Sequence, residues 1–138
     1  MRKIINGLIR SLLNSKVFGK NYRITYCGKG VSLNQYYTAK HWTTRAKLKN
    51  TYKDIFVDLL SKSDIAPMTK FVIVLFFNSR HDTNNVIGLE KIFSDTLKEQ
   101  GYIVDDNKKF YRGLMIFPDE DLKMNTFEFN VFTYGDKK

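Results

Sequence analysis

Every position from Phe71 to Phe77 is apolar, the strongest structural signal in the chain. A run without polar alternation predicts a strand covered on both faces, here expected from Thr69 to Phe77 after the break at Pro67. Beyond a loop from Asn78 to Asn85, Ile87, Leu89, Ile92, Phe93 and Leu97 recur at helical spacing. They predict a helix from Val86 to Gln100, with Gly101 as its C-terminal stop. Upstream, Leu48, Tyr52, Ile55, Phe56 and Leu59 mark the buried side of a helix that Thr43 or Thr44 would cap and that runs to about Ser61. Tyr22 to Cys27 reads as a short strand, followed by a loop through Gly28, Gly30 and Asn34 that ends near Trp42. Lys109–Phe117 and Met124–Tyr134 read as two antiparallel strands joined by a turn through Pro118 and Asp119. In the last of these, Thr126, Glu128, Asn130 and Thr133 stand against Phe127, Phe129, Val131 and Phe132, the pattern of a half-exposed strand. Together these elements predict a single α+β domain, a small mixed β-sheet packed with two main helices.

The start of the chain has its own pattern. Ile4, Ile5, Leu8, Ile9, Leu12, Leu13, Val17 and Phe18 recur at helical spacing, with Arg2, Lys3, Arg10 and Lys16 among the other positions. This predicts an amphipathic basic helix over residues 1–20, ahead of a domain over 21–138. Such a helix suits an anionic membrane surface, a transit peptide, or packing of its apolar stripe on the domain or on a second subunit. Asn6 and Arg10 interrupt the stripe too early for a secretory signal. No apolar run approaches the roughly 20 residues of a transmembrane helix, so a membrane partner is not expected.

Composition adds a location for the charge. The 138 residues are 43% hydrophobic and 14% aromatic, enough to bury one core and too few for two. All of the net +9 charge arises at the front, where residues 1–53 hold twelve Lys or Arg and no Asp or Glu. Such a face attracts a polyanion before any specific contact forms. Tyr22, Tyr26, Tyr36, Tyr37 and Trp42 lie among Arg23, Lys29, Lys40, Arg45, Lys47 and Lys49. Rings so interleaved can stack on bases while the cations hold phosphates. The competing reading is a solvated basic face. The single cysteine, Cys27, excludes an internal disulfide and a cysteine-based zinc site, and suits a small apolar strand position in a reducing compartment.

Acidic residues mark the candidate chemistry. Asp82 follows the apolar run, and Asp105 and Asp106 follow Gly101. If the helix packs back on the strand, these acids can meet at one end of the sheet. Hard oxygen ligands on a basic protein point to Mg²⁺, with Mn²⁺ as a substitute, and to phosphodiester chemistry. Two ordinary roles compete: Asp82, Asn84 and Asn85 as caps of the next helix, and Asp105 and Asp106 as a turn. His81, beside Asp82, is a candidate phosphate contact or base.

Ser32, Leu33, Asn34, Gln35, Tyr36 and Tyr37 follow the first strand, and Ser79 to Asn85 follow the apolar run. Lys91, then Ser94, Asp95, Thr96 and Leu97 stand on the helix, ahead of Gly101 to Asp106. In these residues the chain from about Tyr22 onward bears a resemblance to the RusA-like Holliday junction resolvases. It implies a homodimer that binds four-way or branched DNA and cuts it with Mg²⁺, leaving a 5′-phosphate, in the cytoplasm of a bacterial or phage-infected cell. Residue by residue, Asp82 matches the first metal-binding Asp and Asp106 the last, with Asp105 beside it as a further ligand. Lys91 matches the Lys that approaches the scissile phosphate, Asn85 the motif Asn, and Asp95 the helix Asp. Lys29, Lys40, Arg45, Lys47, Lys49 and Arg80, with Tyr36 and Tyr37, are the expected DNA contacts. In two places the chain departs from the family: Asn84 stands where the family has the middle Asp, and about three extra residues precede Lys91. The Asn84 carbonyl can still coordinate a metal, but without charge, which weakens the hold on a divalent ion. Glu90, within the inserted stretch, could restore the charge if the helix start is displaced by about one turn.

Two other classes of function stay open on these residues. One is a junction-binding protein that does not cut, because of Asn84. The other is a membrane-surface or partner-binding protein led by the first 18 residues. No glycine-rich phosphate loop of Walker type and no nucleophilic triad is present.

Overall fold

A computed structural model describes residues 7, 8, 11, 18–30, 42–80, 82, 83 and 86–134, with the backbone alone at Phe18, Trp42, Thr43, Thr44, Arg45 and Tyr134. Tyr36, Tyr37, Lys40, His81, Asn84 and Asn85 therefore lie outside the described residues.

The apolar run forms the strand it predicts. β2 spans Phe71–Asn78 with its first seven residues buried, so both of its faces are covered. Around it the chain builds β1 (Phe18–Cys27), α1 (Trp42–Ser61), α2 (Ile87–Glu99), β3 (Tyr111–Pro118) and β4 (Thr126–Tyr134). The four strands form one mixed sheet in the order β1-β4-β2-β3. β3 runs parallel to β2, while β4 runs antiparallel to both β1 and β2. This is the expected single α+β domain, a mixed sheet with two main helices.

Three expectations are corrected. β3 and β4 run in opposite directions but do not pair as a hairpin, because β2 lies between them. A parallel strand needs a long crossover, and α2 supplies it between β2 and β3. β4 is a central strand, not a half-exposed one: Glu128 and Asn130 are 7% and 2% exposed. Their polarity is satisfied internally, since Asn130 Nδ2 donates to Glu128 Oε1 at 3.0 Å and to the Val74 carbonyl at 3.3 Å. β1 begins four residues early, at Phe18, which pairs with Tyr134, so the strand takes the end of the expected first helix. Gly7, Leu8 and Ser11 do have helical backbone, with Leu8 61% exposed although it belongs to the apolar stripe. Two smaller differences follow. Thr43 and Thr44 fall inside the first turn of α1 instead of capping it. Cys27 is a strand residue but an exposed one. No described helix is long and apolar enough to cross a membrane.

Both helices pack on one face of the sheet. The core there is aromatic: Phe93 stacks on Phe129 with centroids 4.1 Å apart, and Phe56 meets both rings edge-on at 5.2 and 5.5 Å. Tyr26, Ile73, Leu75, Phe127 and Val131 continue the same cluster. Val72, Val74, Phe76 and Phe132 form a smaller one on the opposite face, where Phe117 and Leu122 pack against it.

Ion pairs join the helices: Lys49 to Asp95 at 3.3 Å, and Lys53 to Glu99. α2 ends as its sequence predicts. Gly101 takes φ 80°, its N–H donates to Lys98 O at 3.1 Å, and the Tyr102 N–H donates to Leu97 O at 2.9 Å. That is the paired C-terminal closure that favours glycine. A Cβ at Gly101 would meet nothing within 4 Å. Gly101→Ala is therefore expected to cost only the left-handed backbone term, about 1 kcal/mol. Urea unfolding would register this as a modest fall in midpoint, and a loss several times larger would mean that the turn also sets the position of β3.

Candidate functional site

Strand direction places the candidate residues. β1, β2 and β3 all finish at one end of the sheet, since Cys27 and Asn78 both face Thr126 and Phe77 faces Pro118. Lys29, Arg80 and Asp82 follow those strand ends. The Gly28 N–H donates to Asn125 O at 2.9 Å and the Asn125 N–H to Asn78 O at 2.6 Å, stitching the loops together. The Tyr26 hydroxyl donates to Lys29 O at 2.8 Å and steadies the backbone carrying that lysine; burial pushes this phenol up to about 12.

A cleft of about 280 Å³ opens at this end, lined by Asn78, Arg80, Asp82, Thr83, Asp119 and Glu120 among others. Asp82 is exposed, and its carboxylate takes no hydrogen bond or ion pair among the described residues. Nor does it cap α2: the N-cap is Val86, with no side-chain hydrogen bond. The capping role that competed for Asp82 is thus not realised. Asp119 and Glu120 are additions that sequence reasoning missed as site residues. The signal was present, since they directly follow an apolar strand, and Asp82 follows another after a few loop residues.

Asp105 and Asp106 belong to the loop that enters β3, whose first residue, Tyr111, pairs with Phe71 at the opposite end of the sheet from Asp82. Strand geometry alone therefore does not bring these acids to one sheet end. Asp105 serves the turn. Its Oδ1 accepts from Lys98 Nζ at 3.0 Å and from the Asp106 N–H at 2.7 Å, and its Oδ2 accepts from Asn107 Nδ2 at 3.1 Å. The Lys98 ammonium, then the Asp106 backbone, holds its carboxyl below the usual carboxylate range. Asp106 lines a shallow depression with Lys108, Tyr111 and Arg112.

Between the two loops lies the first turn of α2. Lys91 is exposed and has no ion-pair partner among the described residues. Glu90, its neighbour, points the other way: it is 5% exposed and accepts a hydrogen bond from the Tyr111 hydroxyl at 2.6 Å. Burial pushes the Glu90 carboxyl up to about 7, against the lowering effects of Tyr111, Ser94 and Lys91. The Tyr111 hydroxyl is pushed far above its usual range by burial and by the Glu90 charge. Glu90 is thus committed to the interior.

No protein-family model matches the chain, and no curated protein matches it.

The remaining expected DNA contacts divide by position. Lys29, Lys47 and Arg80 are exposed, Lys49 is drawn into its pair with Asp95, and Arg45 lies on α1. Among the described residues, no three of His, Cys, Asp and Glu assemble into a group that could hold a metal ion. Asp82 shares its cleft with Asp119 and Glu120, and Asp106 lies in a separate one.

Proposed function

We propose that this protein is a RusA-like structure-specific endonuclease that binds four-way or branched DNA as a homodimer in the cytoplasm of a bacterial or phage-infected cell. Its cleavage is expected to require Mg²⁺ or Mn²⁺. One observation carries the reading. Asp82 in the loop after β2, Lys91 on α2 and Asp106 in the loop before β3 follow one another around a single β2–α2–β3 unit, each with some access to water. Asp82 has no side-chain partner among the described residues and Lys91 is exposed, and exposed charged groups of this kind are available to ligands. Exposed Lys29, Lys47 and Arg80 add positive charge for a phosphate backbone.

A second reading, a junction binder that does not cut, is favoured by Asn84 and by the scattered carboxylates. The test uses the protein and Asn84→Asp on a labelled four-way junction and a matched duplex, in Mg²⁺, Mn²⁺ and EDTA. The expected result is paired, metal-dependent nicks confined to the junction. Asn84→Asp should cut about tenfold faster, about 1.4 kcal/mol in the barrier, because a third charge strengthens the hold on the ion. Cutting by Asn84→Asp alone would establish the binder. Failure of both proteins to cut or to prefer the junction would remove DNA junctions from consideration.

A further inference from the structure

Burying a carboxylate is costly, and a hydrophobic residue of similar volume would often serve stability as well or better. Glu90 is nonetheless held in the core of the first turn of α2 by Tyr111, whose ring lies on Phe71 with centroids 4.7 Å apart. Tyr111 also closes the turn that precedes β3. Its N–H donates to Asn107 O at 2.9 Å, the Phe110 N–H shares that oxygen at 3.1 Å, and the Lys109 N–H donates to Asn107 Oδ1 at 3.0 Å. On the other side of Asp106, Asp105 is bound to Lys98, near the end of the same helix. The loop is therefore fastened to α2 twice, by Glu90 through Tyr111 and by Lys98 through Asp105. Asp106 lies between the fastenings.

We propose that Glu90 and Tyr111 are positioning residues, whose hydrogen bond ties the turn of α2 bearing Lys91 to the turn before β3 and so fixes Asp106. What Asp106 is held ready to do rests on the function proposed above; the tie itself does not. Glu90 acts from the interior and Tyr111 from a half-buried position packed on the core, which suits positioning, since a group locked by packing passes its own precision to its neighbours. The raised pKa of Glu90 fits the same site, because a carboxyl poorly solvated by water depends on the donors that reach it, Tyr111 first.

The test is amide hydrogen exchange on the whole protein and on Tyr111→Phe, Glu90→Met, the double variant and Glu90→Gln, beside single-turnover cleavage of the junction. Glutamine keeps a carbonyl for the Tyr111 hydroxyl, whereas methionine fills the space without one. Exchange over residues 106–110 should rise about tenfold in Tyr111→Phe and Glu90→Met, no further in the double variant, and little in Glu90→Gln. Amides of β1 and β4 should keep their protection. Junction turnover should fall with the loop's protection while junction affinity stays the same. Unchanged loop exchange would overturn the tie, as would a rise spread evenly over the sheet. A loosened loop with undiminished turnover would overturn positioning. If the unaltered protein neither binds nor cuts the junction, the proposed function fails, and the exchange pattern still decides whether the tie exists.

Discussion

Phe129→Ala is expected to remove about 3–5 kcal/mol of stability, a loss among the largest that one truncation in the core can produce. Phe129 is fully buried on the central strand β4, stacked on Phe93 and edge-on to Phe56, so the vacated space is walled by rings from both helices. Rigid rings held by a sheet on one side and helices on the other collapse poorly into a void, which places the cost at the upper part of the range for large-to-small changes. Domains of this size have roughly 5–15 kcal/mol in total, so the variant should be marginal. Urea unfolding followed by circular dichroism measures it. A loss under about 1 kcal/mol would mean that helices and sheet do not meet at this cluster.

The second large effect concerns pH. Stability should fall by about 3 kcal/mol between pH 4.5 and pH 7 because of Glu90 alone. The sign follows from proton binding. Folding raises the Glu90 pKa from 4.5 to about 7, so within this window the folded protein holds a proton that the unfolded chain has released. The contribution is complete below the unfolded value, is lost as pH rises to the folded value, and then levels off. Glu90→Gln keeps the acceptor without the charge, so its stability should be flat across the window and higher than the unaltered protein's at pH 8. Asp105 acts in the opposite sense and in a separate range. Its depressed carboxyl stabilises above the ordinary value of 3.8, and that contribution is lost as pH falls below it. Unfolding titrations of both proteins from pH 2 to 8 separate the two. Parallel slopes would remove Glu90 as the source.

Much of the fold was legible because its cues are local. The uninterrupted run Phe71–Phe77, the helical spacing of Leu89, Ile92, Phe93 and Leu97, and the Gly101 stop each report the conformation of their own segment. The candidate site was legible to the same degree and no further: loops holding Asp82, Asp105 and Asp106 stand out as acids after structural breaks. Misreadings arose wherever a distant partner changed the meaning of a residue. Glu128 and Asn130 look like a solvent-facing alternation until Arg23, Val74 and each other satisfy them. Glu90 looks like a spare ligand until Tyr111, 21 positions away, turns it inward.

The amino-acid order by itself determined where strands and helices form, that one core exists, and that positive charge gathers in residues 1–53, because periodicity and charge are written position by position. Only the tertiary structure decided that β2 separates β3 from β4, that Asp105 belongs to Lys98 while Asp82 and Asp106 line separate clefts, and that the two acidic loops attach to opposite ends of the sheet. Strand order and side-chain partnership depend on contacts between residues far apart in the chain, and those exist only once the sheet has closed around β2.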